Sequence, residues 1–222
     1  MGYLLTEAGL WMVLSQFLSS SSLCDSSALA GCNTTMRGRV IISLFLIIIF
    51  AAHYIKFMSL NKAFIAELRS EATATRKLLA LVPADQKEWV PHEKSMKLGR
   101  LATHVAELSI WVVRAVQHDS MDLMKDWVVS PTFDSGEELV SQFDKNLEDA
   151  IAALESITDE ALQELWTLKR GEMVLFTMPK KVVIRSMAMN HFIHHRAQLG
   201  VYLRLLDVPI PGMYGPSADD ER

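Results

Sequence analysis

After Met58, hydrophobic residues recur at three- and four-residue intervals, the period of a helix with one buried face. Four long stretches carry the pattern. The first runs from Leu60 to Leu81 and stops at Val82-Pro83, because proline lacks the amide donor and crowds the preceding turn. The second runs from about Ser95 to Gln117, with Leu101, His104, Leu108 and Trp111 along one face. The third spans Ser135 to Ile157 and opens on Ser135-Gly136-Glu137-Glu138, the pattern of a capping box. A short helix from Asp159 to Leu168 is expected after Thr158, an N-cap residue type. The fourth long stretch runs from about Lys181 to Leu206, with Ile184, Ala188, His191, His195, Gln198 and Tyr202 on one face. Strand signals are confined to Met173–Phe176, too short to build a sheet. The expectation is an all-α four-helix bundle over residues 58–222, preceded by an apolar N-terminal extension over residues 1–57.

The extension has a different texture. An apolar stretch from Leu4 to Leu18 leads into a serine run, Ser19 to Ser22, and both cysteines, Cys24 and Cys32, follow it. Leu29-Ala30-Gly31-Cys32 matches the short box read by lipoprotein signal peptidases, but no basic segment precedes the apolar run and polar residues separate the two. Chance explains that match. Val40 to Ile55 is uncharged, and sixteen helical residues would cover about 24 Å, enough for a membrane anchor if the ends snorkel. Basic residues flank both ends (Arg37, Arg39; Lys56, Lys62), so no orientation follows. A signal-like segment starting at Met36 is a second reading. A third is that translation starts at Met58, whose following residues open an ordinary amphipathic helix.

Composition narrows the function. Hydrophobic residues make up 50% and charged residues 22%, which excludes wholesale disorder. The formal net charge of -4 gives no basic stripe for nucleic acid. Two cysteines exclude a disulfide scaffold and a cysteine-rich zinc site.

The chemistry lies in the histidines, of which there are seven. His191 and His195 are four apart on a helical stretch and project from nearly the same side, the spacing that presents two imidazoles to one metal. His194 is rotated by about 100° from His195. His104 sits at an inward position of the second helix and can complete a triad if the second and fourth helices are adjacent. Three imidazoles with an open position mark a catalytic rather than structural zinc site. Imidazole also suits nickel, iron and copper. Hydrogen-bonded core histidines explain the same spacing, so both readings stand at this point.

Longer segments add a resemblance. Asn190-His191-Phe192-Ile193-His194-His195-Arg196-Ala197-Gln198-Leu199 followed by Tyr202-Leu203-Arg204 resembles the last-helix signature of the DinB-like superfamily of metal-binding four-helix bundles. Leu101–Leu108, and Pro211-Gly212-Met213-Tyr214-Gly215-Pro216-Ser217 in the tail, resemble further family segments. The resemblance covers about residues 58–220; residues 1–57 lack a counterpart, in keeping with a start at Met58. It implies a DinB/YfiT-like fold, a metal triad of His104, His191 and His195, and a divalent metal, zinc or nickel foremost. It further implies relatives that use low-molecular-weight thiols such as bacillithiol, mycothiol or glutathione. The expected activity is metal-dependent thiol S-transfer to small electrophiles in stress or detoxification. A non-catalytic metal-binding or interaction bundle and a metal-assisted hydrolase are the alternatives. The expected partners are a small-molecule thiol and electrophile and a second copy of the chain, without nucleic acid. The expected location is the cytoplasm, or a membrane if residues 40–55 anchor the chain.

Other residues have weaker claims. Glu107, one turn after His104, reads more readily as a solvated helix charge or salt-bridge partner than as a support for the triad or a general base. Arg196 suits a carboxylate on a neighbouring helix better than an anionic cosubstrate. Gln198 and Tyr202 fit a pocket lining or core packing equally. Trp111, Trp127 and Trp166 read as core, and His118 as a helix-end residue.

Overall fold

The computed structural model describes residues 59–128, 130–131 and 133–220. The extension, with its anchor, signal and start-site readings, lies outside them. Among the described residues no helix is long and apolar enough to cross a membrane.

The helical periodicity becomes α1 (Leu60–Ala80), α2 (Leu98–Glu107), α3 (Ile110–Gln117), α4 (Gly136–Ser156), α5 (Lys180–Val183) and α6 (His191–Leu205). A π-helical segment, Ile184–Asn190, joins α5 to α6. The second expected helix is thus two, broken at Leu108-Ser109. At the start of α4 the Ser135 hydroxyl accepts from the Glu138 amide at 3.1 Å, and the Glu138 carboxylate accepts from the Asp134 amide at 2.7 Å. Gly136 is required there: a Cβ would sit 2.7 Å from the Ala80 carbonyl oxygen, so α4 begins against the end of α1.

The all-α four-helix expectation fails. A three-stranded mixed sheet is present, in the order β1 (Ser120–Asp122), β2 (Leu165–Arg170), β3 (Met173–Pro179). β1 and β2 are parallel; β2 and β3 are antiparallel, with a register shift between Leu168 and Lys169. The short helix expected over Asp159–Leu168 shrinks to one 3-10 turn, Ala161–Gln163. The reason is the period: Trp166 and Leu168 are buried while their neighbours are not, an alternation of two. Gly171 then turns the chain at φ 59°, the left-handed region that a two-residue hairpin loop demands.

One apolar core binds these elements. α4 packs on α1, α2 and α3, and α2 packs on α6. Trp166 is fully buried, 6.1 Å from both Trp111 and Phe176 by ring centroid, and its indole N–H donates to the Arg114 carbonyl at 3.3 Å. Arg196, 2% exposed, ties three elements together. From α6 it donates to the Glu71 carbonyl and Thr75 hydroxyl of α1, each at 3.1 Å. It also pairs with the Glu71 carboxylate at 2.6 Å and reaches Tyr214 in the tail at 2.7 Å.

Trp166→Ala removes the indole that joins sheet to helices. It should cost about 3–5 kcal/mol of stability, the range for a truncated buried aromatic, read as a lower urea midpoint at unchanged slope.

Candidate metal centre

The packing of α2 on α6 decides the site. It brings His104 from α2 against His191 and His195 at the start of α6. One ring nitrogen from each lies within 4.8 Å of the other two. The His191 Nε2 atom is 3.4 Å from His104 Nε2 and 2.9 Å from His195 Nε2. His104 and His195 are buried and His191 is half-buried.

The opposite ring nitrogens settle the tautomers. His195 Nδ1 lies 2.7 Å from Gln198 Oε1, His191 Nδ1 lies 3.3 Å from the Met187 carbonyl, and His104 Nδ1 lies 3.2 Å from Glu107 Oε1. Each of these partners accepts, so each Nδ1 carries the proton and each Nε2 presents a lone pair. The Arg100 guanidinium also comes within 3.4 Å of His104 Nδ1, but it donates at 2.7 Å to the same Glu107 oxygen, its stronger partner. Three lone pairs therefore face one another across a short gap, which is repulsive without a cation between them. Imidazole nitrogens bound tetrahedrally at metal distances would be about 3.3 Å apart. The donor set fits a metal with an open fourth position.

The π-helical segment contributes directly. In an uninterrupted α-helix the His191 amide would bond the Met187 carbonyl, four residues back. Here the His191 amide donates to the Ala188 carbonyl, and the Met187 carbonyl lies 3.3 Å from the imidazole Nδ1. Burial is the main force lowering the His191 pKa, aided by the neighbouring His104 charge. Burial likewise drives His195 down to about 4 against the opposing Gln198 contact. Both rings are neutral near pH 7, as metal ligands must be.

Glu107 is a salt-bridge partner, as its sequence reading allowed: it pairs with Arg100 at 2.7 Å, and the same carboxylate also holds His104. Burial would raise its pKa, but hydrogen bonds from His104, Ser130 and Arg100 outweigh that and keep it below the ordinary value. Gln198 is exposed, yet its amide oxygen orients His195; the buried stripe of α6 is Phe192, His195, Arg196, Leu199 and Leu203. The ligand face and the core face are neighbours rather than one. The signal for Gln198 and Glu107 was their three-residue spacing from His195 and His104. Tyr202 is half-buried with its ring 5.5 Å from that of Trp89. His194 and His118 are exposed and stand outside the triad. Trp111 and Trp166 are core; Trp127 is 39% exposed and is not.

Comparison with known proteins places the fold. Residues 58–222 match the family model described as the DinB family. The structure is similar to that of a DinB-like protein from Bacillus cereus, with 21% identity, 71% of this chain and 99% of that chain covered, and a TM-score of 0.55. It is also similar to a DinB-like protein from Bacillus subtilis (19% identity, 72% and 99% covered, TM-score 0.53). A third similar structure is a putative member of the DinB family from Exiguobacterium sibiricum (21% identity, 68% and 95% covered, TM-score 0.52). No curated protein sequence matches the chain.

The full chain, purified without a polyhistidine tag, should carry about one divalent metal by elemental analysis, and His191→Ala should lose it. Gln198→Ala should keep the stoichiometry but weaken affinity roughly 10–100-fold, as loss of a ligand's orienting partner does.

The metal-free protein should lose stability as pH falls. The unfolded chain protonates His195 near the ordinary 6.5, whereas the folded chain resists until about 4. The unfolded state therefore binds more protons in that window, and stability declines from pH 6.5 toward 4. Urea midpoints across the range should show the slope, and His195→Phe should flatten it.

Proposed function

The chain belongs to the DinB family, and we propose that its histidine cluster holds zinc or nickel and that the protein is a metal-dependent transferase. It joins a low-molecular-weight thiol to small electrophiles in stress or detoxification. The observation that supports this reading is the set of three converging Nε2 lone pairs, each ring held from behind by its own acceptor. Three neutral ligands with a free position belong to reactive rather than structural metal sites. A metal held there would favour the thiolate form of a thiol at its open position.

The chain's own residues do the rest. Residues 58–222 contain no cysteine, so the sulfur nucleophile comes from a cosubstrate. Glu107 is committed to His104 and Arg100 and kept ionised, so it orients a ring instead of taking up protons. The buried Arg196 network pins α6 to α1, which holds His191 and His195 against His104 with little freedom. The same reading puts the protein in the cytoplasm, where thiols are kept reduced.

The metal-loaded full chain should consume thiol with an electrophile panel and show no turnover without thiol, and His195→Ala should lose activity by at least about a hundredfold. Turnover of esters without thiol would make the protein a hydrolase. Tight metal binding with no turnover on either panel would make it a non-catalytic metal binder.

A further inference from the structure

Two arginines bracket the stretch that carries the ligand pair. Arg185 precedes His191 in the π-helical segment, and Arg196 directly follows His195. Both end on the same helix: Arg185 meets Glu67 and Arg196 meets Glu71, one turn apart on α1. The Arg185 contact is a fork. Its Nη1 donates to Glu67 Oε1 at 2.5 Å and its Nη2 to Glu67 Oε2 at 3.0 Å. The guanidinium carbon also lies 5.2 Å from the ring centroid of the buried Phe64.

The segment Ile184–Asn190 needs such a hold. Wider turns of this kind are rare and mostly single, so a run of 7 residues depends on support from outside the helix. Its apolar residues Ile184, Ala188 and Met189 are buried, and α3 packs on the segment. Apolar contact is non-directional and tolerates a slide or a partial rotation. A two-pronged ion pair is directional, because guanidinium and carboxylate must lie in one plane. The fork therefore fixes where the segment sits along α1. Met187, whose carbonyl stands behind His191 Nδ1, is two residues further on.

We propose that Arg185 is a positioning residue of the metal centre. Its fork on Glu67, with the Arg196 network at the other end, holds residues 185–196 on α1 as one piece, so that His191 and His195 meet His104 at ligand spacing. This rests on the metal-binding part of the function proposed above. Arg185 itself touches no ligand and acts only through the segment.

The molecule supplies its own control. Arg76 of α1 pairs with Asp144 of α4 and lies 5.8 Å from the Phe143 ring centroid. Those two side chains are 40% and 37% exposed, against 42% and 32% for Arg185 and Glu67, but they bond to no residue of the ligand-bearing stretch. Zinc affinity of the full chain is measured by competition with a chromogenic chelator. Amide hydrogen exchange is followed by mass spectrometry on the metal-free full chain. Arg185→Leu, which leaves helix propensity nearly unchanged, should weaken zinc at least about tenfold, as loss of support behind a ligand does. It should also speed exchange within residues 184–195. Arg76→Leu should change neither, although both variants should lower the urea midpoint by a similar small amount, since pairs this exposed contribute little to global stability. Arg185→Glu combined with Glu67→Arg should recover most of the affinity and the protection. An Arg185→Leu chain with either readout unchanged, or equal losses in Arg76→Leu, overturns the proposal. Absence of zinc binding by the wild type would sink the metal reading; exchange in Arg185→Leu then decides the clamp, and an unchanged stretch overturns it.

Discussion

Three imidazole lone pairs pointed at one another are the constraint on which the rest depends. Neutral rings would ordinarily rotate to avoid that arrangement, or turn an N–H toward a neighbouring acceptor. Here each ring is held by its far nitrogen, on a carboxylate, a main-chain carbonyl and a side-chain amide. The three holders come from three kinds of structure, so no single helix could supply the set. Glu107 and Gln198 sit one turn beyond their histidines, while Met187 lies one turn before His191 in the π-helical segment. The cost of facing lone pairs and the cost of the π-helical detour are both offset when a cation occupies the gap.

The scaffold is stiff where this geometry needs it. α2 and α6 meet directly, and α6 is fastened on its other side by Arg196, whose buried charge is matched by Glu71 and spread over Thr75 and Tyr214. Removing one member of such a network strands a buried charge, which ordinarily costs more than the pair contributes. The tail is tied through the same residue, since the Tyr214 hydroxyl donates to Glu71 at 3.0 Å. The sheet is fastened in its own right: Trp166 packs on Trp111 of α3, and the buried Lys180 ammonium reaches Asp119 and Glu164.

Polarity across the site is uneven. Its α6 side presents neutral groups, Gln198 and the Met187 carbonyl. Its α2 side presents the ion pair of Glu107 and Arg100. The one charged acceptor among the three thus stands behind His104, and the neutral ones stand behind His191 and His195.

Much was legible in the residues taken one stretch at a time. The period of 3.6 marked the long helices, Pro83 and the Ser135 cap marked two of their ends, and the His191–His195 spacing marked one face. These are local properties, decided within a turn or two of chain. The sheet was not legible, because the alternation at Trp166 and Leu168 is short and only pairing with β1 and β3 makes it a strand. The meeting of His104 with the pair on α6, the tautomers of all three rings and the support from Glu107 were decided only by tertiary structure. Each depends on which helix lies beside which, and a hydrophobic stripe says that a face is buried without saying against what.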